Sequence, residues 1–333
     1  MTDPGRRPRP GMRGTTAAPS APGLPRGAGR AREAPSSASL PLPPGAARFV
    51  GPTAGRVADL TLPWADTTRT VLVRAAGGKL LVVQWGADRA AIARRIRLAR
   101  TLARVAPALP VPPVVAGDAS AKVPWLATPY VPGTPGRDLL RGDAEAARLG
   151  AAVGGLARAL RSVPPTGLLL PRRWAEPVRL QTAARDWLAR ARDALGADLA
   201  DRLGHRIEAI PAVLDAPPVF AHGDLAPVNV VLRGGEVVAL LDLERARLAH
   251  PLYDAAWWTW VIRVHHPERA ASAGDRFLEA AGLGPDRETL DRLALLAALQ
   301  CLEMLAARPR GADPVRREWA RRVALAVQGF GPL

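Results

Sequence analysis

Three oxygen-bearing side chains stand out by type and spacing. Asp224 and Asn229 lie five residues apart in His222-Gly223-Asp224-Leu225-Ala226-Pro227-Val228-Asn229, and Asp242 ends the apolar run Val237-Val238-Ala239-Leu240-Leu241. Carboxylate and amide oxygens suit a hard cation such as magnesium, which takes one or two carboxylates and leaves its other positions to water and phosphate oxygens. Phosphoryl transfer needs such a cation on the phosphates and a carboxylate that orients and deprotonates the attacking hydroxyl. Kinase catalytic loops place the base Asp five residues before a metal-binding Asn, with a second metal-binding Asp further along the chain. Taken singly, these residues would read as a turn carboxylate, a cap and a surface acid. Their joint order and spacing favour the chemical reading.

The elements around them must bring them together. Apolar runs flank Arg233-Gly234-Gly235-Glu236, which predicts a hairpin. Asp224 and Asn229 then sit on the loop entering its first strand, and Asp242 at the end of its second. A short hairpin would gather all three side chains at one set of strand ends.

His222-Gly223-Asp224-Leu225, Pro227, Asn229, Asp242, and His250-Pro251 with Asp254 resemble the motifs of the aminoglycoside phosphotransferase and choline kinase superfamily. These are small-molecule kinases of protein-kinase-like fold. The resemblance covers residues 50–333, with its specificity concentrated in 219–258. It implies an α+β, bilobal protein-kinase-like fold: a small N-terminal antiparallel sheet with one helix, and a larger, mainly helical C-terminal lobe. It implies Asp224 as catalytic base, with His222 in the catalytic group as a scaffold hydrogen-bonding near the metal-binding Asp. Asn229 and Asp242 are implied as Mg2+ ligands, and ATP or GTP as phosphoryl donor. The implied acceptor is a hydroxyl of a small molecule such as a sugar, amino sugar, related metabolite or antibiotic. Gly223 is expected to permit close backbone approach. Asp254 is expected to brace the catalytic loop through buried backbone hydrogen bonds, and Glu244 to lie near metal or substrate. The resemblance places the adenine at the backbone of Thr128, Pro129 and Tyr130. Pro129 has no amide hydrogen, so Tyr130 or Val131 would donate, with Val82 and Leu240 as apolar walls.

The N-terminal part departs from the family pattern. The stretch expected to cover the phosphates, Pro63-Trp64-Ala65-Asp66-Thr67-Thr68-Arg69-Thr70, has no glycine, leaving backbone amides and the Thr67 and Thr68 hydroxyls to approach phosphate. Gln84 stands where a Lys or Arg is expected, and Arg95 where its Glu partner is expected. We take Arg95 as the residue that supplies the missing charge from the helix. The departures also support two rival expectations: a catalytically silent binding or regulatory protein of the same fold, or a basic-tailed interaction module.

Three segments are expected. Residues 1–45 are rich in Pro, Gly, Ser, Ala and Arg and cannot bury enough surface to offset ordering entropy, so a disordered basic tail is predicted. Residues 46–132 form the nucleotide-binding lobe and 133–333 the helical lobe with catalytic loop and acceptor site. In the first lobe, Val71-Leu72-Val73 and Leu80 to Trp85 read as a hairpin turning at Gly77-Gly78. Residues 88–106 read as a helix with Ile92, Ile96, Ala99 and Leu102 on one stripe. Further strands are predicted at 111–116 and 123–128. Helices are expected near 143–162, 177–195, 198–210, 253–265, 268–281, 286–307 and 313–328.

Composition narrows the functional classes. The chain of 333 residues carries a net charge of +16. Eight arginines in residues 1–48 face only Asp3 and Glu33, and the rest of the excess is diffuse. That distribution argues against nucleic-acid binding. No apolar run reaches the roughly 18 residues a membrane helix needs, and the N-terminus has no apolar stretch after its charges. A cytoplasmic protein without membrane partners is expected. Cys301 stands alone in an apolar helical pattern, so no disulfide or cysteine metal site is expected. His250, His265 and His266 read as ordinary histidines, and Trp257, Trp258 and Trp260 as core or pocket wall. Residues 251–333 balance 11 arginines against 10 acidic groups. That is not the acidic pocket a polycationic acceptor would require.

Overall fold

The computed structural model describes residues 41–61, 68–309, 311 and 313–329, which belong to one compact unit, Ala31–Leu333. Most of the expected tail lies outside the described residues. Its last part does not fit the expectation: helix α1 (Pro44–Val50) begins at Pro44, with a proline at its start, where the missing amide costs nothing. Ala46 and Val50 are buried against Val71, Val73, Val83 and Trp125.

The first sheet is antiparallel, in the order β1-β2-β3-β5-β4. It comprises β1 (Gly55–Asp59), β2 (Thr68–Arg74), β3 (Leu80–Gly86), β4 (Ala116–Asp118) and β5 (Trp125–Pro129). The β2–β3 hairpin pairs Arg74 with Leu80 around Gly77-Gly78 as expected. The strand predicted at 111–116 moves to Ala116–Asp118, because Pro110, Pro112 and Pro113 have no amide to donate to a ladder. Helix α2 (Arg89–Val105) starts at Asp88, whose carboxylate accepts from the Ala91 amide at 2.9 Å. Its stripe of Ile92, Ile96, Ala99 and Leu102 is buried. Ile92 and Ile96 pack on Leu126 of β5, whereas Ala99 and Leu102 join the core of the helical part.

After β6 (Thr134–Pro135) the chain is mainly helical: α3 (Asp143–Arg161), α4 (Pro177–Leu195), α5 (Ala197–Glu208) and α6 (Ile210–Val213). A segment of short strands then interrupts the helices. Strand β7 (Val219–Ala221) pairs with β10 (Arg247–Ala249), and β8 (Val230–Arg233) pairs with β9 (Glu236–Leu240). The β8–β9 turn is Gly234-Gly235, both at positive φ, which matches the right-handed twist of a two-residue hairpin. Helices α7 (Tyr253–His265), α8 (Arg276–Ala280), α9 (Arg287–Ala306) and α10 (Pro314–Val327) complete the chain. The single helix expected at 268–281 is instead a 3-10 turn (Pro267–Arg269), a π-helical segment (Ala270–Asp275) and α8. Helix α9 is the core helix: Leu293, Leu296, Ala297, Leu299, Cys301 and Leu305 are each fully buried. Among the described residues no helix is long and apolar enough to cross a membrane.

Candidate active site

Helix α7 fixes the start of the loop that carries Asp224 and Asn229. The Asp254 carboxylate, in its first turn, accepts the His222 amide at 2.7 Å and the Gly223 amide at 2.9 Å. Burial pushes this carboxyl above its ordinary range, and His222 and the two amides oppose that shift. Gly223 has φ +87°, and a Cβ there would lie 2.0 Å from the Arg245 carbonyl oxygen. Only glycine fits both conditions without moving the backbone. His222 is fully buried and both its ring nitrogens are engaged. Nε2 lies 2.7 Å from the Leu241 carbonyl, and Nδ1 accepts the Asp224 amide at 3.3 Å. A carbonyl can only accept, so the ring proton sits on Nε2. His222 therefore ties the loop to the residue before Asp242.

Asp224 is held at both carboxylate oxygens. Asn229 Nδ2 donates to Oδ2 at 3.1 Å and to the Asp224 carbonyl at 2.8 Å. Trp257 Nε1, from α7, donates to Oδ1 at 2.7 Å. Sequence reading placed Trp257 in the core or the pocket wall and missed this bond. Its spacing was a usable signal: Trp257 is one helical turn beyond Asp254, so both reach the same loop. Trp257 also stacks on Trp260, with ring centroids 5.1 Å apart. Asn229 is buried, and its amide hydrogens point to Asp224. Its only side-chain acceptor is therefore Oδ1.

Asp242 is joined to this loop through the backbone, since the Leu241 amide donates to the Asn229 carbonyl at 2.8 Å. Among the described residues Asp242 is the only non-glycine at positive φ, +62°. A left-handed Asp costs about 1 kcal/mol, a strain concentrated at functional sites. Its Oδ1 is buried without a hydrogen-bond partner. A buried, unsatisfied carboxylate oxygen fits a cation. Among the described residues no three His, Cys, Asp or Glu side chains form a ready-made cage, and magnesium does not require one. Burial, and then neighbouring Asp242, push the Glu244 carboxyl above the usual glutamate range.

The structure joins Gln84 and Arg95 directly. Arg95 Nη2 donates to Gln84 Oε1 at 2.5 Å, and Gln84 Nε2 donates to Thr70 Oγ1 at 3.1 Å. The same Arg95 nitrogen lies 4.0 Å from Asp242 Oδ1. A neutral amide and a cation thus occupy the two places where a cation and a carboxylate were expected, and the cation leans on Asp242. Thr68 begins β2 opposite Gly86; Thr67 lies outside the described residues. Two hinge expectations need correction. The Tyr130 amide donates to the Leu80 carbonyl at 3.1 Å, extending the sheet, so it is not free for a ligand. Leu240, the last residue of β9, is 1% exposed and belongs to the helical core, whereas Leu241, just beyond the strand, is 37% exposed. Thr128 pairs with Val82 in the β3–β5 ladder.

A cavity of about 320 Å³ adjoins this corner, lined by Thr68, Arg94, Arg95, Glu244, Arg245 and Arg247 among others. Its lining does not include Asp224, Asn229 or Asp242.

The profile of the phosphotransferase enzyme family matches residues 62–296. The chain belongs to this family. It is a phosphotransferase acting on hydroxyl groups, with the bilobal kinase-like fold of its relatives. Macrolide 2'-phosphotransferase MphH from Brachybacterium faecium is 20% identical, with TM-score 0.59 over 81% of this chain and 91% of that one. Aminoglycoside phosphotransferase APH(3'')-Id from Streptomyces rimosus is 26% identical, with TM-score 0.50 over 74% of this chain and 92% of that one. The GDP complex of an aminoglycoside 2'-phosphotransferase, a phenylalanine-to-leucine mutant, is 14% identical, with TM-score 0.62 over 82% and 91%. A search of the curated proteins found no significant match.

Proposed function

We propose that this phosphotransferase moves the terminal phosphoryl group of ATP or GTP, with magnesium, onto a hydroxyl of a small molecule. The observation that carries the reading is the loop itself. Asp224 is held by Asn229 and Trp257, and the Asn229 backbone is bonded to the residue preceding Asp242, whose Oδ1 has no hydrogen-bond partner among the described residues.

Asp224 orients the acceptor hydroxyl and takes its proton as that oxygen bonds to phosphorus and the bond to the leaving nucleoside diphosphate breaks. Trp257 and Asn229 each donate one hydrogen bond to the carboxylate, which leaves lone pairs on both oxygens for the acceptor. Asn229 Oδ1 and Asp242 would hold magnesium, which when bound neutralises charge on the triphosphate. Arg95, fixed by Gln84, supplies positive charge beside Asp242. Residues 46–132 carry the nucleotide, with Val131 as hinge amide donor and Val82 and Leu241 as apolar walls. Residues 133–333 carry the acceptor.

In one solved structure the Streptomyces rimosus enzyme is in complex with ADP and streptomycin. The balanced charge of residues 251–333 here favours a neutral or anionic hydroxylated acceptor over a polycation. A cytoplasmic location accords with use of nucleoside triphosphate. A second reading, nucleotide binding without turnover, is favoured by one observation: Gln84 replaces the strand cation. The two separate in one experiment. Labelled nucleotide is offered with a panel of hydroxylated acceptors, to the parent and to Asp224→Ala. Transfer by the parent alone supports the kinase; magnesium-dependent ADP binding with no transfer to any acceptor supports the silent protein.

A further inference from the structure

Apart from Arg95, the 320 Å³ cavity between the first half of α2 and the segment after Asp242 is not used by the mechanism above. Four of its lining residues are arginines, Arg94, Arg95, Arg245 and Arg247, against two acids, Asp88 and Glu244. Asp88 already caps α2. Two arginines are internally engaged: Arg95 with Gln84, and Arg247 with Glu303 at 3.1 Å. Among the described residues the other two make no ion pair, although Glu244 is near enough for its charge to act on Arg245. Arg94 Nε is buried with no hydrogen-bond partner, and Arg245 Nη1 has the thioether sulfur of Met304 at 2.9 Å. A thioether is a weak acceptor, and an unpaired buried guanidinium nitrogen is costly. Guanidinium groups converging from two elements on a space of this size suit a planar or tetrahedral oxyanion, held by charge-assisted bonds.

We propose that this cavity is an anion site, in which Arg94 of α2 and Arg245 of the post-Asp242 segment hold a phosphate or carboxylate group of a small molecule other than the phosphoryl donor. The site adjoins the donor's and shares Arg95 with it, but Asp224, Asn229 and Asp242 do not line it. Its occupant would link α2 to the segment that carries Asp242, and so tighten the corner where Arg95 meets that carboxylate. The anion could belong to the acceptor or to a free effector.

Isothermal titration of the full chain with inorganic phosphate, in chloride buffer without nucleotide, tests this. One site is expected, with affinity falling about tenfold in Arg94→Ala and in Arg245→Gln, the loss typical of one charge-assisted bond. Arg94→Lys should recover part of it. Saturating ADP with magnesium should leave phosphate binding in place, and Arg94→Ala should bind ADP as the parent does. Competition by a turned-over acceptor would assign the anion to the acceptor; no competition would assign it to an effector. If Arg245→Gln fails to fold, Arg94→Ala and Arg94→Lys decide. Absence of phosphate binding, equal affinity in Arg94→Ala and the parent, or displacement of phosphate by ADP would overturn the proposal.

Discussion

The indole nitrogen of Trp257 lies 2.7 Å from Oδ1 of Asp224. With the Asn229 bond to the other oxygen, this contact fixes the carboxylate plane, so the proposed base is held before any acceptor arrives. Trp257→Phe keeps the ring stacked on Trp260 but removes the donor. A hydrogen bond to a charged group contributes about 1.5–3 kcal/mol, so kcat should fall roughly 10- to 100-fold with little change in acceptor KM. A kcat within twofold of the parent would show that Trp257 does not position the base.

Gly223 meets two constraints at once, a φ of +87° and a carbonyl 2.0 Å from where a Cβ would be. Gly223→Ala should lower unfolding stability by about 2 kcal/mol or more and abolish transfer, because the loop must shift away from Arg245. Urea unfolding checks the first part. A loss below about 0.5 kcal/mol, the range of a neutral surface change, would mean that the loop has room to spare.

Arg95 brings a fixed cation within 4.0 Å of Asp242. Arg95→Ala should weaken ADP binding about tenfold, the effect of losing one charge-assisted contact. Calorimetric titration with ADP and magnesium reads this directly, and an unchanged Kd would remove Arg95 from nucleotide binding.

His250 predicts a pH dependence. Burial, and then Arg292, bring its imidazole down to about 4. Its Nδ1 accepts the Leu252 amide at 3.1 Å, a bond that protonation would break. Between an unfolded value near 6.5 and the folded value near 4, the unfolded chain holds a proton that the native chain does not. Stability should therefore fall as pH drops through that window and level off below it, by about 3 kcal/mol at most for this residue. His265, also brought to about 4 by burial and Arg322, adds to the same slope. Urea midpoints at pH 7 and pH 5 should converge in His250→Gln relative to the parent. Equal slopes in both proteins would contradict the role of His250.

The local features of the site were readable from the chain. The Gly234-Gly235 hairpin, the spacing of Asp224 and Asn229, and the apolar stripe of α2 all follow from turn chemistry and periodicity. The early start of α1 was obscured because Pro44 and Gly45 share the composition of the preceding stretch. Contacts between distant elements were not readable. Neither the Gln84–Arg95 bond nor the Tyr130–Leu80 bond leaves a trace in any single window, because each depends on how a strand meets a helix or another strand. Leu240 and Leu241 look alike in sequence, and only the point where β9 ends separates the buried one from the exposed one.

The most direct measurement compares single-turnover transfer from labelled nucleotide to a turned-over acceptor by the parent and by Asp224→Asn, which retains the shape of the side chain and its place beside Asn229 and Trp257. Transfer should fall by about 10²- to 10⁴-fold while ADP and magnesium bind as before, since the base is lost together with one of the two hydrogen bonds that held it. Transfer by Asp224→Asn at the parent's rate would contradict the assignment of this loop as the catalytic centre.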